Sequence, residues 1–327
     1  MYFINLIILY LIILCFTVLI SKKMNLYDLP NKRKIHNLKI FNTGGVIIYI
    51  FYLLIIYLYE FNYNIELIIS IGFFICVVGF LDDRINLNPS IKVIFIIIPS
   101  AYLIFNGIKI DDIGNYDYIG TLNLGKFQIP FLILALGLLI NATNYIDGVD
   151  GLLLTFFISC LTYFIFLIDE PKTIYLMKLL LIPLILNLGL NMLPSKSKFK
   201  FFCGNIGSLF IGFFISFLTI ELYNGFNIHP AYLIWPLWYP VYDFLFVSLN
   251  RAIQRKSIFS PDNSHLHHKI LIYLNQSHLK TIVLFFVLNA LIIYFGFLLS
   301  NFSKLLSLVS FILGFIIYFS LRFKFKK

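Results

Sequence analysis

The chain has 327 residues, 60% of them hydrophobic and only 12% charged, with a formal net charge of +10 and a mean hydropathy of +0.92. Soluble domains carry roughly a quarter charged residues, so this composition excludes an ordinary soluble enzyme and indicates an integral membrane protein. The four cysteines, Cys15, Cys76, Cys160 and Cys203, match neither a disulfide framework nor a metal spacing and read as small buried side chains.

In chain order, stretches free of Asp, Glu, Lys and Arg run over 2–20, 43–59, 67–81, 93–108, 127–146 and 151–168. They continue at 179–195, 201–220, 222–242, 281–303 and 305–321. A spanning helix needs about 20 mostly apolar residues. The short stretches 67–81 and 93–108 can be extended by snorkelling of Glu66 and Lys92. The expected fold is an all-α polytopic membrane protein, one domain over 1–327 with about eleven transmembrane helices.

Alternating spans leave 21–42, 82–92, 141–151, 194–205, 250–280 and 322–327 on one side, with 20 of the 25 Lys and Arg. That side is expected to be cytoplasmic, with the N-terminus periplasmic and the C-terminus cytoplasmic. The positive charge is then a topology signal, and no nucleic-acid partner is implied. The first segment lacks a basic n-region and an A-x-A site, and Lys22 and Lys23 follow it, so a retained helix is expected. On the other side, 107–126 has the Tyr, Ile and Thr content of a small hairpin.

Of fifteen Asp and Glu, seven fall on the basic side: Asp28, Asp82, Asp83, Asp147, Asp150, Asp243 and Asp262. Asp82 and Asp83 end an apolar run. If their helix continues, Asn86 shares their face, and such oxygens suit Mg²⁺; the plainer alternative is a solvated helix end with Asp83 paired to Arg84. In "NATNYIDGVDGL", Asn141, Asn144, Asp147 and Asp150 recur every third residue as one polar ridge. In "FCGNIGSLFIGF", Gly204, Asn205, Gly207 and Ser208 open a helix whose free N–H groups suit phosphate, unless Asn205 or Ser208 is merely its cap.

"FSPDNSHLHHKI" clusters His265, His267 and His268 beside Lys269. Zinc would call for a fourth ligand at helical spacing, so phosphate binding or proton transfer fits better. His229 and His278 are expected to be loop residues without function. The stretch 28–45 holds Lys32, Arg33, Lys34 and His36 before Gly44 and Gly45, suiting either anionic membrane lipid or a phosphorylated lipid headgroup. All five groups fall on one face, which is equipment for phosphoryl transfer to a lipid-soluble acceptor.

These motifs, in order over residues 28–270, resemble those of the polyprenyl-phosphate N-acetylhexosamine-1-phosphate transferases, and more distantly the muramoyl-pentapeptide translocases. The resemblance implies transfer of a HexNAc-1-phosphate, such as GlcNAc-1-phosphate, from a UDP-sugar to undecaprenyl phosphate. UMP is released, and cell-surface polysaccharide synthesis begins at the cytoplasmic face of a bacterial inner membrane. It implies Mg²⁺, with Mn²⁺ as an alternative. It assigns catalysis to Asp82, Asp83 and Asp147, and metal binding to Asp82, Asp83, Asn144 and Asn205. Substrate phosphate falls to Lys34, His36, Lys92, Asn141, Asp150, His265, His267 and His268.

The chain departs from the family at three positions. Asn205 stands where an Asp metal ligand is usual, Phe41 where a proline is common, and Ile96 where a glutamine often follows. A homodimer is left open. The competing expectations are a non-catalytic paralogue or scaffold, motivated by Asn205, and a transporter or lipid flippase. A flippase would place acids in the middle of several spans.

Overall fold

The computed structural model describes residues 2–28, 39–257 and 264–324. Helix α1 (Tyr2–Met24) leads into two short paired strands, β1 (Tyr27–Asp28) and β2 (Ile40–Phe41), and then α2 (Gly44–Leu58), α3 (Tyr63–Ile85) and α4 (Pro89–Phe105). The expected hairpin follows as β3 (Asp112–Tyr116) and β4 (Gly120–Asn123). Next come α5 (Gln128–Ile146), α6 (Leu152–Leu167), α7 (Pro171–Asn191) and α8 (Gly204–Asn224). The short α9 (Pro230–Leu233) precedes α10 (Trp238–Ile253), α11 (Leu266–Tyr273), α12 (His278–Phe302) and α13 (Lys304–Lys324).

The molecule is an all-α polytopic membrane protein. Among the described residues, seven helices are long and apolar enough to cross a bilayer, and α2, α4 and α6 are shorter apolar helices. Two boundaries differ from expectation for a stated reason. No helix runs over 222–242, because α8 ends at Asn224 and the chain turns through Asn227, with φ +55°, and Pro230 before α10 begins. Helix α3 absorbs Glu66 and Asp82–Arg84 and stops at Asn86, an exposed left-handed cap with φ 49°. Asn86 therefore ends the helix and does not share a helical face with the aspartates.

Helix α8 is the axis of the bundle: 89% of its spanning window is buried, against 28% for α1 and α12 and 6% for α13. Lipid does not drive helices together, so close backbone approach and internal polar contacts must do it. A Cβ on Gly45 would lie 2.1 Å from the Gly207 nitrogen, and one on Gly79 would lie 2.5 Å from Ile206 Cα. The glycines of α2 and α3 thus let both helices lie directly against the start of α8. On the α5 side, Thr143 Oγ1 donates to the Ser208 carbonyl at 3.0 Å.

The far end of α8 is tied as well. Glu221, 2% exposed, accepts from Asn64 Nδ2 of α3 at 2.7 Å. The hairpin docks nearby, through Tyr223 donating to Asp112, Asn224 Nδ2 donating to the Lys109 carbonyl and a 3.0 Å contact between His229 Nε2 and the Asn115 carbonyl.

Candidate active site at the start of α8

The two-strand clasp β1–β2 is stitched to the segment before α8. Phe202 N–H donates to the Phe41 carbonyl at 2.8 Å, and Gly44 N–H returns to the Phe202 carbonyl at 2.9 Å. Phe41 stacks between Tyr27 and Phe201, with ring centroids 5.0 and 5.2 Å away. Gly44 and Gly45 therefore serve helix packing at the base of the basic loop. Lys34, His36 and the rest of 29–38 lie outside the described residues, as does Asp262.

Two carboxylates from different helices meet the first amides of α8. Asp83 Oδ1 accepts from Asn205 N–H at 3.3 Å, and Asp147, the C-cap of α5, lies close enough to the Gly204 N–H for that amide to favour its ionised form. The positive end of a helix dipole attracts anions, and here it holds the protein's own acids where free phosphate was expected. Neither Asn205 nor Ser208 caps the helix; Cys203 is the cap residue and makes no side-chain cap bond. Asn205 Oδ1 accepts from Asn144 Nδ2 at 2.7 Å, and the same amide reaches Ser208 Oγ at 2.8 Å.

Asp82 faces another way. It is 8% exposed, pairs with Lys92 Nζ at 2.7 Å and accepts from Leu87 N–H at 3.0 Å. Lys92 also reaches Asn144 Oδ1 at 3.4 Å, so Asp82, Lys92, Asn144, Asn205 and Asp83 form one connected network. Arg84 does not pair with Asp83; it donates to the Met24 carbonyl and lies 5.7 Å from the centre of the Phe80 ring.

The ridge expected over 141–150 divides. Each three-residue step along a helix falls about 60° short of a full turn, and α5 stops at Ile146. Asn141 donates to the Gly137 carbonyl of its own helix at 2.7 Å. Asn144 and Asp147 join the start of α8. Asp150 turns to Lys200 Nζ at 2.6 Å, and its N–H donates to His278 Nδ1 at 3.0 Å. His278, expected to be idle, thus fastens α12 to the turn after α5.

The histidines approach from the other side of that turn. His265 stacks on Tyr145 with centroids 5.1 Å apart. A Cβ on Gly148 would lie 2.6 Å from the His268 ring and 3.3 Å from His267 Nε2. His267 Nδ1 lies 2.8 Å from the Tyr239 hydroxyl. Burial, aided by the neighbouring His268, holds the His267 ring well below the usual histidine range, so it is neutral at pH 7. The Nε2 atoms of His265 and His267 are both buried without a hydrogen-bond partner.

Whether a metal fits turns on the acids. Burial pushes the Asp147 carboxyl well above its ordinary range, and the charges of Asp83, Asp150 and Asp28 push it further, while the Gly204 amide opposes them. Asp83 Oδ2 is buried and unpartnered. No group of three His, Cys, Asp or Glu among the described residues could hold a metal by itself. Mg²⁺ ordinarily needs only one or two carboxylates, the rest being water and substrate phosphate. Carboxyl oxygens whose ionised form is disfavoured by burial and by one another gain most from a cation, and such hard oxygens fit that ion. The Asn42 side chain, which nothing in the motifs singled out, lies close enough to Asp83 to favour its ionised form.

Residues 65–223 match the sequence model of glycosyl transferase family 4. The chain is 26% identical over 275 residues to the "Probable undecaprenyl-phosphate N-acetylglucosaminyl 1-phosphate transferase" of Bacillus subtilis, covering 82% of this chain and 76% of that one. Against the "Undecaprenyl-phosphate alpha-N-acetylglucosaminyl 1-phosphate transferase" of Escherichia coli K12 it is 27% identical, covering 77% and 71%. The Yersinia pestis protein of the same name is 28% identical, with 91% and 84% covered. The matched region holds the aspartate pair, the Asn144–Asp150 turn and the start of α8, and it is there that the chain is similar to glycosyl transferase family 4.

Proposed function

We propose that the protein transfers a HexNAc-1-phosphate, GlcNAc-1-phosphate first among them, from its UDP-sugar to undecaprenyl phosphate. UMP leaves, and the reaction takes place at the cytoplasmic face of a bacterial inner membrane. An oxygen of the lipid phosphate forms the new bond to the sugar-bearing phosphorus, and the bond from that phosphorus to the UMP oxygen breaks. One pyrophosphate replaces another, so the site has mainly to gather and stabilise phosphate charge.

One observation carries the reading: Asp83 and Asp147, from separate helices, are brought to the same helix N-terminus, with Asp83 Oδ2 buried and unpartnered. Asp83 and Asp147 would hold Mg²⁺, with Asn144 and Asn205 beside them. The ion supplies charge neutralisation at the phosphates when bound. Asp82 holds Lys92 at the rim, where its ammonium meets a phosphate oxygen. His265, His267 and His268 face the turn from the opposite side and offer imidazole nitrogens to the second phosphate. Asp150 keeps the turn in place through Lys200. The names of the relatives support the lipid acceptor and the sugar class.

The test is UMP release in membranes supplied with undecaprenyl phosphate and a panel of UDP-HexNAc donors, with and without Mg²⁺. Release that needs the metal, and that falls about 100-fold or more in Asp83→Asn and Asp147→Asn, is expected. Folded protein that releases no UMP from any donor would end the reading.

A further inference from the structure

One well-partnered carboxylate near the site belongs to none of the motifs. Asp243, in α10, is 3% exposed. Its Oδ2 lies 2.7 Å from His265 Nδ1. Its Oδ1 accepts from Leu266 N–H at 3.1 Å and from the Tyr318 hydroxyl at 2.7 Å, and Arg322 Nη2 stands 3.5 Å away. Arg322 also donates to the Ser264 carbonyl at 2.6 Å and lies 4.8 Å from the centre of the Phe246 ring. The start of α11, where the histidines sit, is thereby clamped between α10 and α13.

The chemistry of this clamp sets the state of one imidazole. An ionised carboxylate only accepts hydrogen bonds, so the short contact to Nδ1 requires a proton there. In the neutral ring the other nitrogen, Nε2, is then an acceptor; in the charged ring it is a donor. That nitrogen is buried and unpartnered, and its ring is held flat between Tyr145 and His267. Tyr318 and Arg322 come from the last helix, which is otherwise the least buried span and lies outside the region that matches the family.

We propose that Asp243 is a positioning residue for the transfer reaction: it locks His265 with Nδ1 protonated, leaving Nε2 to accept from a substrate hydroxyl or, when the ring is charged, to donate to a phosphate oxygen, and α13 supplies Tyr318 and Arg322 to hold it there. The proposal rests on the transferase reading for its consequence in turnover, and on geometry alone for the state of the imidazole.

Asp243→Asn tests it. An amide has one accepting oxygen, and the three donors on Oδ1 compete for it. The NH₂ group then faces His265 Nδ1, which must give up its proton and become an acceptor. Imidazole ¹⁵N shifts of the histidine-labelled full chain in lipid nanodiscs, assigned with His265→Gln, read this directly. The wild type is expected to carry the proton on Nδ1 and Asp243→Asn on Nε2. In the UMP-release assay kcat is expected to fall about 100-fold with KM for the UDP-sugar changed less than 3-fold. Asp243→Asn with His265→Gln is expected to be no slower than His265→Gln alone, because one acts through the other.

Tyr318→Phe removes a single donor and keeps the shape, so it serves if Asp243→Asn does not fold; a 3- to 10-fold drop in kcat with unchanged KM is expected, roughly the value of one hydrogen bond. An unchanged imidazole proton in Asp243→Asn, additive losses in the double variant, or full activity in Tyr318→Phe would each overturn the proposal. A wild type without turnover strikes the transferase reading, and the ¹⁵N shifts still decide the clamp.

Discussion

Lys200, 3% exposed, donates to Asp150 at 2.6 Å and to the carbonyls of Asn191 and Leu193 at 2.9 Å. Removing one partner of a buried pair leaves the other uncompensated, at about 3–5 kcal/mol. Lys200→Met should therefore lower the unfolding temperature in detergent markedly, and Asp150→Asn with Lys200→Met should recover part of that loss. Were Asp150 instead a substrate ligand, Asp150→Asn alone would raise KM and leave the melt unchanged. Asn205 makes a second prediction at this scale. Its carbonyl already accepts from Asn144, so Asn205→Asp keeps that bond and adds charge beside Asp83. The half-saturating Mg²⁺ concentration should fall several-fold, by about one charge-assisted contact; an unchanged or higher requirement would contradict the metal placement. Asp82, Asp83 and Asp147 could be picked out as candidates in the sequence because acids are scarce and adjoin apolar runs, and Asn144 because it stands three residues before Asp147. Asn42, Lys200 and Asp243 were not assigned roles, because each works through contacts far away in the chain, and polar residues at a helix end carry no mark of their partners.

Between elements, contact is made through missing side chains as much as present ones. A Cβ on Gly79 meets Ile206 Cα at 2.5 Å and Asn205 backbone at 2.8 Å. Backbone cannot swing aside as a long side chain can, so Gly79→Ala must push α3 away from α8. About 1–3 kcal/mol of stability should be lost, and the contact between Asp83 and Asn205, one turn further along, should open. Thermal unfolding and UMP release should fall together; a variant with normal stability and turnover would show that the helices have room there. Helix positions were mostly legible, since the solvent rewards long apolar runs. The break between α8 and α10 was not, because Ile, Tyr and Trp around Gly225, Asn227 and Pro230 keep the stretch greasy while the backbone turns. Asn86 likewise reads as helical until its left-handed cap is seen.

Across the whole molecule, polar chemistry gathers at one end and the hairpin covers the other. Tyr118, at the hairpin tip, is 99% exposed, and Lys198 is exposed in the segment between α7 and α8. In a chain with Cys15 replaced by Ser, Tyr118→Cys should react with an impermeant maleimide from the periplasmic side, and Lys198→Cys only once the inner membrane is opened. The reverse labelling would invert the proposed orientation. Charge asymmetry gives the orientation this experiment tests, while how far each helix sits from the axis was not readable in the sequence, since lipid-facing and protein-facing residues are equally apolar. One further consequence follows from the polar ties at both ends of α8, Asn205 to Asp83 and Glu221 to Asn64. These lie about 16 residues apart, or roughly 24 Å, and each inserted residue would rotate one relative to the other by about 100°. The length of this rod is therefore quantised: no single added residue keeps both knots tied. A thicker bilayer has to be met by tilt or by deformation of the lipid, because the central helix is not free to grow.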